Sequence, residues 1–182
     1  MKTAIILAAR REKESEIPYP LKAFAPDLCL LDRTIGILRD LHFSNILIVV
    51  GYKAEMFRKY EADDVTLIVN KDYEFTASMG SLALAKDYVK EDFLLIESDT
   101  FYERRLLEQL AARTEGNCLS MTEESGSGDE CFMETKNGFV TKITKDRHRV
   151  CHFEGEMIGV SRITLDTFEM LVNAWEHASN PY

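Results

Sequence analysis

The chain has 182 residues, a formal net charge of −9 and a hydrophobic content of 46%, values typical of one folded domain and not of a disordered segment. No apolar run approaches the roughly 20 residues that a membrane helix needs, and the apolar start is too short for a signal peptide. We therefore predict a cytoplasmic protein with no membrane partner. The acidic balance argues against nucleic acid as a partner, because such binding depends on Lys and Arg side chains that neutralise phosphates.

Short apolar segments alternate with amphipathic segments along the first two thirds of the chain. The apolar segments have the length of buried strands, and the amphipathic ones repeat their apolar residues at helical spacing. Alternating strands and helices predict a mainly parallel sheet with helices on both faces. The predicted strands cover residues 3–8, 45–50, 65–69 and 93–97, and the predicted helices cover 33–41, with Asp32 as its cap, 53–60, 78–89 and 104–112.

The pattern changes after residue 117, where strands follow one another without helices between them. Residues 118–122, 130–135, 139–144 and 157–163 read as strands, and residues 165–177 as a last helix. Asn137-Gly138 is a hairpin-turn signal between two of these strands. We therefore predict a single α/β domain over residues 1–182. Its Rossmann-like doubly wound mixed sheet is expected to be mostly parallel, with a small antiparallel section in the C-terminal third.

Two carboxylates follow the fourth predicted strand, at the edge where open α/β sheets bind ligands. Asp99 lies just past the end of this strand and suits Mg²⁺, a hard cation that prefers oxygen ligands. Glu97 is two residues earlier and shares the face of Asp99, so a cation there would offset their repulsion. The alternative reading of Asp99 is a turn or cap residue before the next helix.

Positive charge is available near the same edge. Lys22 follows a segment stiffened by Pro18 and Pro20, which could direct its ammonium at a phosphate. Arg10 and Arg11 come directly after the first strand and are a second source of positive charge. For all three side chains the alternative is an ordinary solvated surface position.

Small residues open the predicted helix 78–89. In residues 76–81 they would leave helix amide groups free for an anion or for base-edge hydrogen bonds. The alternative, favoured by the local sequence, is an ordinary helix cap supplied by Ser78 or Thr76.

Two segments of the C-terminal part carry charges that could meet a second ligand. The glycine-containing loop 125–130 could aim Asp129 at an amine, or could be a solvated hairpin. Lys145, Arg147 and Arg149 would share one face if their segment is extended, and could bind a phosphate or phosphonate or be simple surface.

These motifs resemble the nucleotidylyltransferases that join a phosphate or phosphonate to a nucleoside monophosphate. Residues 4–9 followed by 20–24 resemble the opening signature of that superfamily, and residues 48–52 and 69–73 resemble its next two strand ends. Within it, the chain is most similar to the cytidylyltransferases acting on phosphocholine and 2-aminoethylphosphonate. The segments that resemble the 2-aminoethylphosphonate enzymes in particular are 76–82, 94–99, 127–130, 142–147 and 155–160.

The resemblance implies a Mg²⁺-dependent cytidylyltransferase that transfers CMP from CTP to a small phosphonate or phosphate, best matched by 2-aminoethylphosphonate, and releases pyrophosphate. It implies that Lys22 contacts the α-phosphate, aided by Arg11, and that Asp99 holds the metal. Candidate acceptor-binding residues are Asp129, Lys145 and Arg147. The nucleotide-binding residues that it implies are Leu7, Ala8, Ala9, Arg10, Gly51, Asn70, Thr76, Ala77, Ser78, Ser81 and Glu97.

The chain departs from the family pattern at two places. The opening loop of the family is glycine-rich, whereas the first glycine here is Gly36, so Arg10 and Arg11 must bind more of the phosphate charge or activity is weak or lost. The family also carries a further acidic metal ligand after the last helix, which leads us to expect that residues 1–182 are the N-terminal part of a longer protein with an attached domain.

Three alternative functions stay open at this point. The acceptor could be phosphocholine, although scattered aromatic residues in the second half favour a primary amine over a quaternary ammonium that needs an aromatic cage. The chain could act on a sugar 1-phosphate with another nucleotide. It could also be a non-catalytic nucleotide-binding domain of a larger protein.

Overall fold

The computed structural model describes residues 1–12 and 15–178. Residues 13 and 14, in the loop after the first predicted strand, and residues 179–182 lie outside the described residues. The contacts divide the chain into two compact units, one made of Met1–Cys118 with the segment that begins at Ser161, and one made of Leu119–Val160. Within the described part of the chain, no helix has both the length and the apolar character needed to span a membrane.

The structure contains ten strands and four α-helices in its described residues. The strands are β1 (Thr3–Ala8), β2 (Ala23–Ala25), β3 (Leu28–Cys29), β4 (Asn45–Val50), β5 (Val65–Val69), β6 (Phe93–Glu97), β7 (Cys118–Thr122), β8 (Phe132–Lys136), β9 (Phe139–Thr144) and β10 (Gly155–Ile163). The helices are α1 (Leu30–Asp40), α2 (Ser78–Ala83), α3 (Arg104–Ala112) and α4 (Leu165–Glu176).

The larger unit is built on four parallel strands in the order β5-β4-β1-β6. Every residue of β1 is buried, and so are the last five residues of β4, because a parallel strand is covered on both faces. The predicted bounds of these four strands are confirmed. The chain runs outward from β1 through β4 to β5 and then returns to the other side of β1 at β6. The strand order therefore reverses beside β1, which is where open α/β sheets bind ligands.

Helix α1 begins three residues earlier than the sequence pattern predicts, and Asp32 is not its cap. Cys29 is the N-cap, and its thiol accepts a hydrogen bond from the Asp32 backbone N–H at 3.5 Å. The Asp32 carboxylate in turn accepts one from the Cys29 N–H at 2.9 Å, which completes a capping box. An aspartate is as favourable in the first turn of a helix as at its cap, so sequence alone misplaced the start.

Two other predicted helices are shorter or tighter than expected. Residues 84–88 form turns after α2, with hydrogen bonds such as Ala85 N to Leu82 O that close smaller rings than an α-helix does. The predicted helix 53–60 is a 3-10 helix, Ala54–Tyr60, and Lys53 before it has a left-handed backbone with φ of 49°. The β2–β3 hairpin was not predicted.

The smaller unit is antiparallel, as predicted for the C-terminal third. β8 and β9 form a hairpin whose turn residues, Asn137 and Gly138, have φ of 55° and 80°, the backbone that a tight hairpin turn requires. β8 also pairs with the start of β10 in antiparallel register. The segment that carries Lys145, Arg147 and Arg149 is not extended, because residues Arg147–Arg149 form a short 3-10 helix. Alternation therefore does not place these basic residues on one face. The predicted fold class, a mixed and mostly parallel α/β arrangement with a small antiparallel section, is confirmed.

Candidate active site

The carboxyl ends of the parallel strands meet through backbone hydrogen bonds just beyond the sheet. The Ser98 N–H donates to the Leu7 carbonyl at 3.2 Å, and the Tyr52 N–H donates to the Ala9 carbonyl at 3.0 Å. Leu7, Ala8 and Ala9 are all buried, so their side chains belong to the core and only their backbone can face a ligand. The segments that follow β1, β4 and β6 are therefore neighbours at one edge of the larger unit.

Glu97 and Asp99 form a carboxylate pair at this edge. Burial and, to a lesser extent, the charge of Asp99 raise the pKa of Glu97 to about 7, although a hydrogen bond from the Ser78 hydroxyl and the charge of Arg10 partly oppose the rise. The two carboxylates, Ser78 and Arg10 therefore lie within electrostatic range of one another. Burial and the neighbouring negative charge of Asp99 therefore make the ionised form of Glu97 unfavourable in the absence of a cation.

The carboxylate pair fits a magnesium ion in its donor chemistry. Among the described residues, no group of three or more His, Cys, Asp or Glu side chains could hold a metal by itself. Mg²⁺ is commonly bound by one or two carboxylates, with waters and substrate phosphates completing its octahedron. Glu97 and Asp99 supply two such oxygen donors, and a cation would offset the repulsion that raises the pKa of Glu97.

Lys22 is fixed by a short 3-10 helix and by an acidic residue that the sequence analysis did not single out. The helix, Tyr19–Leu21, carries Pro20 in its first turn, where the missing N–H does no harm. The ammonium of Lys22 lies 2.5 Å from a Glu12 carboxylate oxygen and 5.2 Å from the centre of the Tyr19 ring. Lys22 and Glu12 are ten residues apart and belong to no common helix or strand, so no periodic pattern in the sequence predicts that they pair.

An aromatic contact brings the segments that carry Lys22 and Asp99 together. The rings of Phe24 and Phe101 meet edge to face with centroids 5.5 Å apart, and each ring is two residues beyond the functional side chain of its segment. The Arg33 guanidinium stacks on the Phe101 ring at 4.6 Å, which ties the same segment to α1. The structure thus places the predicted cation and the predicted metal ligand on segments that touch each other.

Arg11 points toward the ends of β4 and β5. Its guanidinium lies 3.7 Å from a Glu74 carboxylate oxygen and 5.3 Å from the centre of the Tyr52 ring. Tyr73 stands beside Tyr52, with ring centroids 6.4 Å apart. Arg11 is therefore already engaged with an acid and an aromatic ring, and the two tyrosines are neighbours that the sequence analysis missed.

Asn70 is buried and organises the segment between β5 and α2. Its side-chain amide donates to the Thr76 hydroxyl at 2.8 Å and to the Ser81 hydroxyl at 3.0 Å, and its carbonyl accepts from the Asp72 N–H at 3.0 Å. These bonds occupy both amide protons of Asn70. Asn70, Thr76 and Ser81 therefore shape the edge of the site, and their predicted contact with a nucleotide stays a prediction.

The start of α2 is not capped by a side chain, so the predicted cap by Ser78 or Thr76 is wrong. Ala77 is the N-cap residue. The Thr76 hydroxyl donates instead to the Asp72 carbonyl at 3.0 Å, and the Ser78 hydroxyl donates to Glu97. Ser78 thus links α2 to the carboxylate pair.

Gly51 allows the backbone to pack closely at the end of β4. A Cβ atom at this position would lie 2.6 Å from the Cβ of Tyr73 and 2.7 Å from the carbonyl oxygen of Ala9. Both distances are too short for real atoms, so any side chain here would displace the end of β1. The glycine is required by close approach and not by its φ angle.

The predicted acceptor-binding residues all lie in the smaller unit. Lys145 and Asp129 form an exposed ion pair, with 2.5 Å between Nζ and Oδ1. The guanidinium of Arg147 stacks on the rings of Phe132, at 5.5 Å, and Phe153, at 4.9 Å. The structure therefore brings Asp129 and Lys145 together and holds Arg147 on an aromatic pair, and their role toward an acceptor stays a prediction.

Two curated proteins are similar to the chain in sequence. It is 30% identical over 127 residues to the CMP-5'-(3-aminopropyl)phosphonate synthase of Streptomyces rubellomurinus. The aligned residues make up 64% of this chain and 20% of that protein. It is 38% identical over 80 residues to the choline-phosphate cytidylyltransferase of Haemophilus influenzae. This alignment covers 42% of this chain and 33% of that protein. The chain thus matches a fifth of the first relative and a third of the second. No protein-family model matches the chain.

Solved structures show the same fold. The inositol-1-phosphate CTP transferase of T. maritima superposes with a TM-score of 0.74 at 20% identity, covering 93% of this chain and 73% of that one. The CTP:phosphocholine cytidylyltransferase of Streptococcus pneumoniae superposes with a TM-score of 0.69 at 22% identity, covering 97% and 77%. The chain thus has the fold of these nucleotidylyltransferases, and the predicted resemblance to their superfamily is confirmed. Within this superfamily, sequence similarity places the chain near the aminopropylphosphonate synthase and the phosphocholine cytidylyltransferase.

Proposed function

We propose that the chain is a Mg²⁺-dependent cytidylyltransferase that transfers CMP from CTP to a small phosphonate or phosphate, with 2-aminoethylphosphonate as the best match. An oxygen of the acceptor attacks the α-phosphorus of CTP in line, the new P–O bond forms as the bond to the β-phosphate breaks, and pyrophosphate leaves. The observation that carries the proposal is the contact between Phe24 and Phe101, which joins the segment of Lys22 to the segment of Asp99 at the ligand edge.

The residues of this chain contribute charge and position. Phosphoryl transfer needs little covalent help, and most of the rate comes from orientation and from neutralising the charge that develops on phosphate oxygens. The Lys22 ammonium meets the α-phosphate, and Arg11 serves the outer phosphates. The buried backbone at Ala8 and Ala9 contacts the triphosphate, and the segment from Thr76 to Ser81 lies against the cytidine.

Glu97 and Asp99 are the residues that hold magnesium in this proposal. A magnesium ion held by these carboxylates would supply positive charge to phosphate oxygens of the ligand. Ser78 orients the Glu97 carboxylate through its hydrogen bond, and Arg10 adds charge beside it. The two carboxylates therefore act as metal ligands, and neither serves as a general acid or base.

The acceptor carries a primary amine in the preferred version of the proposal. A primary ammonium donates hydrogen bonds to a carboxylate such as Asp129, while Lys145 and Arg147 suit its acidic phosphorus group. The aromatic pair Phe132 and Phe153 is already covered by the Arg147 guanidinium, which leaves this pair a poor cage for a quaternary ammonium. Phosphocholine and a sugar 1-phosphate are the alternative acceptors.

Pyrophosphate release tests this proposal. We expect release with CTP, Mg²⁺ and 2-aminoethylphosphonate, and much slower release with ATP, GTP or UTP, or with phosphocholine or glucose 1-phosphate as acceptor. Turnover that is fastest with another nucleotide and a sugar 1-phosphate would contradict it. We expect Asp99→Asn and Lys22→Ala each to lower turnover at least a hundredfold. Thermal unfolding should change little, because Asp99 is exposed and the ion pair between Lys22 and Glu12 is partly exposed. Full activity in either variant would remove that residue from the mechanism.

A non-catalytic nucleotide-binding role is the second candidate. Lys22 and Arg11 are both paired with carboxylates, of Glu12 and Glu74, and no glycine occurs before residue 36. CTP binding by the protein, without pyrophosphate release for any acceptor, would support this role over catalysis. The cytoplasmic location is part of either version of the proposal.

A further inference from the structure

The ammonium of Lys22 is occupied by an anion that belongs to the protein. The Nζ atom of Lys22 and the nearer carboxylate oxygen of Glu12 are 2.5 Å apart, a charge-assisted hydrogen bond of short length. Lys22 is 41% and Glu12 36% exposed, so solvent only partly screens the pair. A carboxylate offers the same acceptor oxygens to an ammonium as a phosphate does. Glu12 therefore satisfies the cation that a ligand phosphate would need.

Glu12 reaches this position because of where it stands in the sequence. It comes four residues after the end of β1, in the opening segment that contains no glycine. A glycine in such a segment has no side chain, so it can only offer backbone N–H groups to a phosphate. A glutamate at the same place puts a negative charge within reach of Lys22.

We propose that Glu12 is an internal competitor for the phosphate position at Lys22 and sets the affinity of this protein for polyphosphate ligands. The inference rests on the proposed function, because it takes Lys22 as the cation that meets the α-phosphate. A phosphate that contacts Lys22 must displace the Glu12 carboxylate. The displaced carboxylate then stays close to the ligand and repels it. Both effects weaken binding by the wild-type protein.

The opposite role would be that Glu12 positions Lys22 for its ligand. In that case removing the carboxylate would leave the lysine side chain free to leave the site, and binding would weaken. The two roles predict opposite signs for the same substitution, so affinity measurements separate them.

Glu16 supplies a matched control in the same segment. Its carboxylate lies 2.6 Å from the ammonium of Lys53, an ion pair of nearly the same length that does not involve Lys22. Glu12→Gln and Glu16→Gln each remove one negative charge from this segment and break one Lys–Glu pair. A difference in ligand affinity between the two variants therefore reflects the pairing of Glu12 with Lys22 and not the change in net charge.

The experiment measures the dissociation constant of inorganic tripolyphosphate by titration calorimetry at low ionic strength. We expect Glu12→Gln to bind about fivefold more tightly than wild type, the upper range for an ion pair of this exposure. Glu16→Gln should gain clearly less, because the exposed Glu16 carboxylate acts on Lys53 and weakly on Arg11 and not on Lys22. In a Lys22→Met background the Glu12 substitution should bring no gain. Equal or weaker binding by Glu12→Gln, an equal gain in Glu16→Gln, or no binding by any of these proteins would overturn the proposal.

The pyrophosphate-release assay distinguishes failure of the Glu12 proposal from failure of the proposed catalytic function. If wild type turns over CTP but Glu12→Gln does not bind tripolyphosphate more tightly, only the inference on Glu12 fails. If no acceptor supports turnover but Glu12→Gln shows the expected gain, the inference on Glu12 holds and the catalytic proposal fails.

Discussion

Replacing Gly51 with alanine tests whether the close approach of the strand ends builds the site. The added Cβ would meet the Cβ of Tyr73 at 2.6 Å and the Ala9 carbonyl oxygen at 2.7 Å, both well inside ordinary contact distance. Ala9 is buried backbone that cannot yield freely, so the end of β1 must shift. Overpacking of this kind destabilises a protein by about 1–3 kcal/mol, which for a domain of this size lowers Tm by roughly 2–12 °C.

Gly36→Ala is the matched control, and its predicted effect has the opposite sign. Gly36 lies inside α1, and a Cβ atom there would meet nothing within 4 Å. Alanine is favoured over glycine in a helix interior by about 0.8–1 kcal/mol, so this variant should unfold at a higher temperature than wild type. Differential scanning calorimetry compares the three proteins. A Gly51→Ala protein as stable as wild type, with unchanged tripolyphosphate affinity, would refute the close-packing explanation of the strand ends.

Two further predictions concern ion pairs in the larger unit. Asp92→Ala should lower the free energy of unfolding in urea by about 3 kcal/mol, because the buried Arg162 guanidinium would lose the carboxylate that lies 2.6 Å from it. A loss of stability below about 1 kcal/mol would contradict this prediction. Asp64→Asn should cost about 0.5–1 kcal/mol at pH 7 by removing the two hydrogen bonds from Arg39. The hydrogen bonds from Arg39 lower the pKa of Asp64, so the stabilisation is present above the ordinary aspartate pKa and is lost as pH falls through the lowered pKa. Urea unfolding of wild type and variant should therefore converge as the solution is acidified through the aspartate range. A stability difference that does not shrink with falling pH would argue against the ion pair.

The sheet of the larger unit could be predicted from sequence because its strands are short continuous apolar runs. Residues of β1 and β4 are buried on both faces, and such strands stand out between polar segments. The chain order of strands and helices then places Asp99 and the arginines after β1 at the same edge. This part of the site follows from topology alone.

Helix ends and side-chain pairings could not be predicted in the same way. The start of α1 depends on the thiol of Cys29, a residue that rarely caps helices, and α2 ends early in turns that local composition does not mark. The pairing of Lys22 with Glu12 and of Arg11 with Glu74 joins loops whose contacts leave no periodic trace in the sequence.

The most direct test of the account is a crystal structure of the protein with CTP and Mn²⁺, in which anomalous scattering locates the metal ion. We expect an anomalous peak at ligand distance from an Asp99 carboxylate oxygen, with the α-phosphate on the Lys22 ammonium and Glu12 displaced from it. A triphosphate that lies away from the Lys22 and Asp99 segments, with the Lys22–Glu12 pair intact and no metal at Asp99, would contradict it.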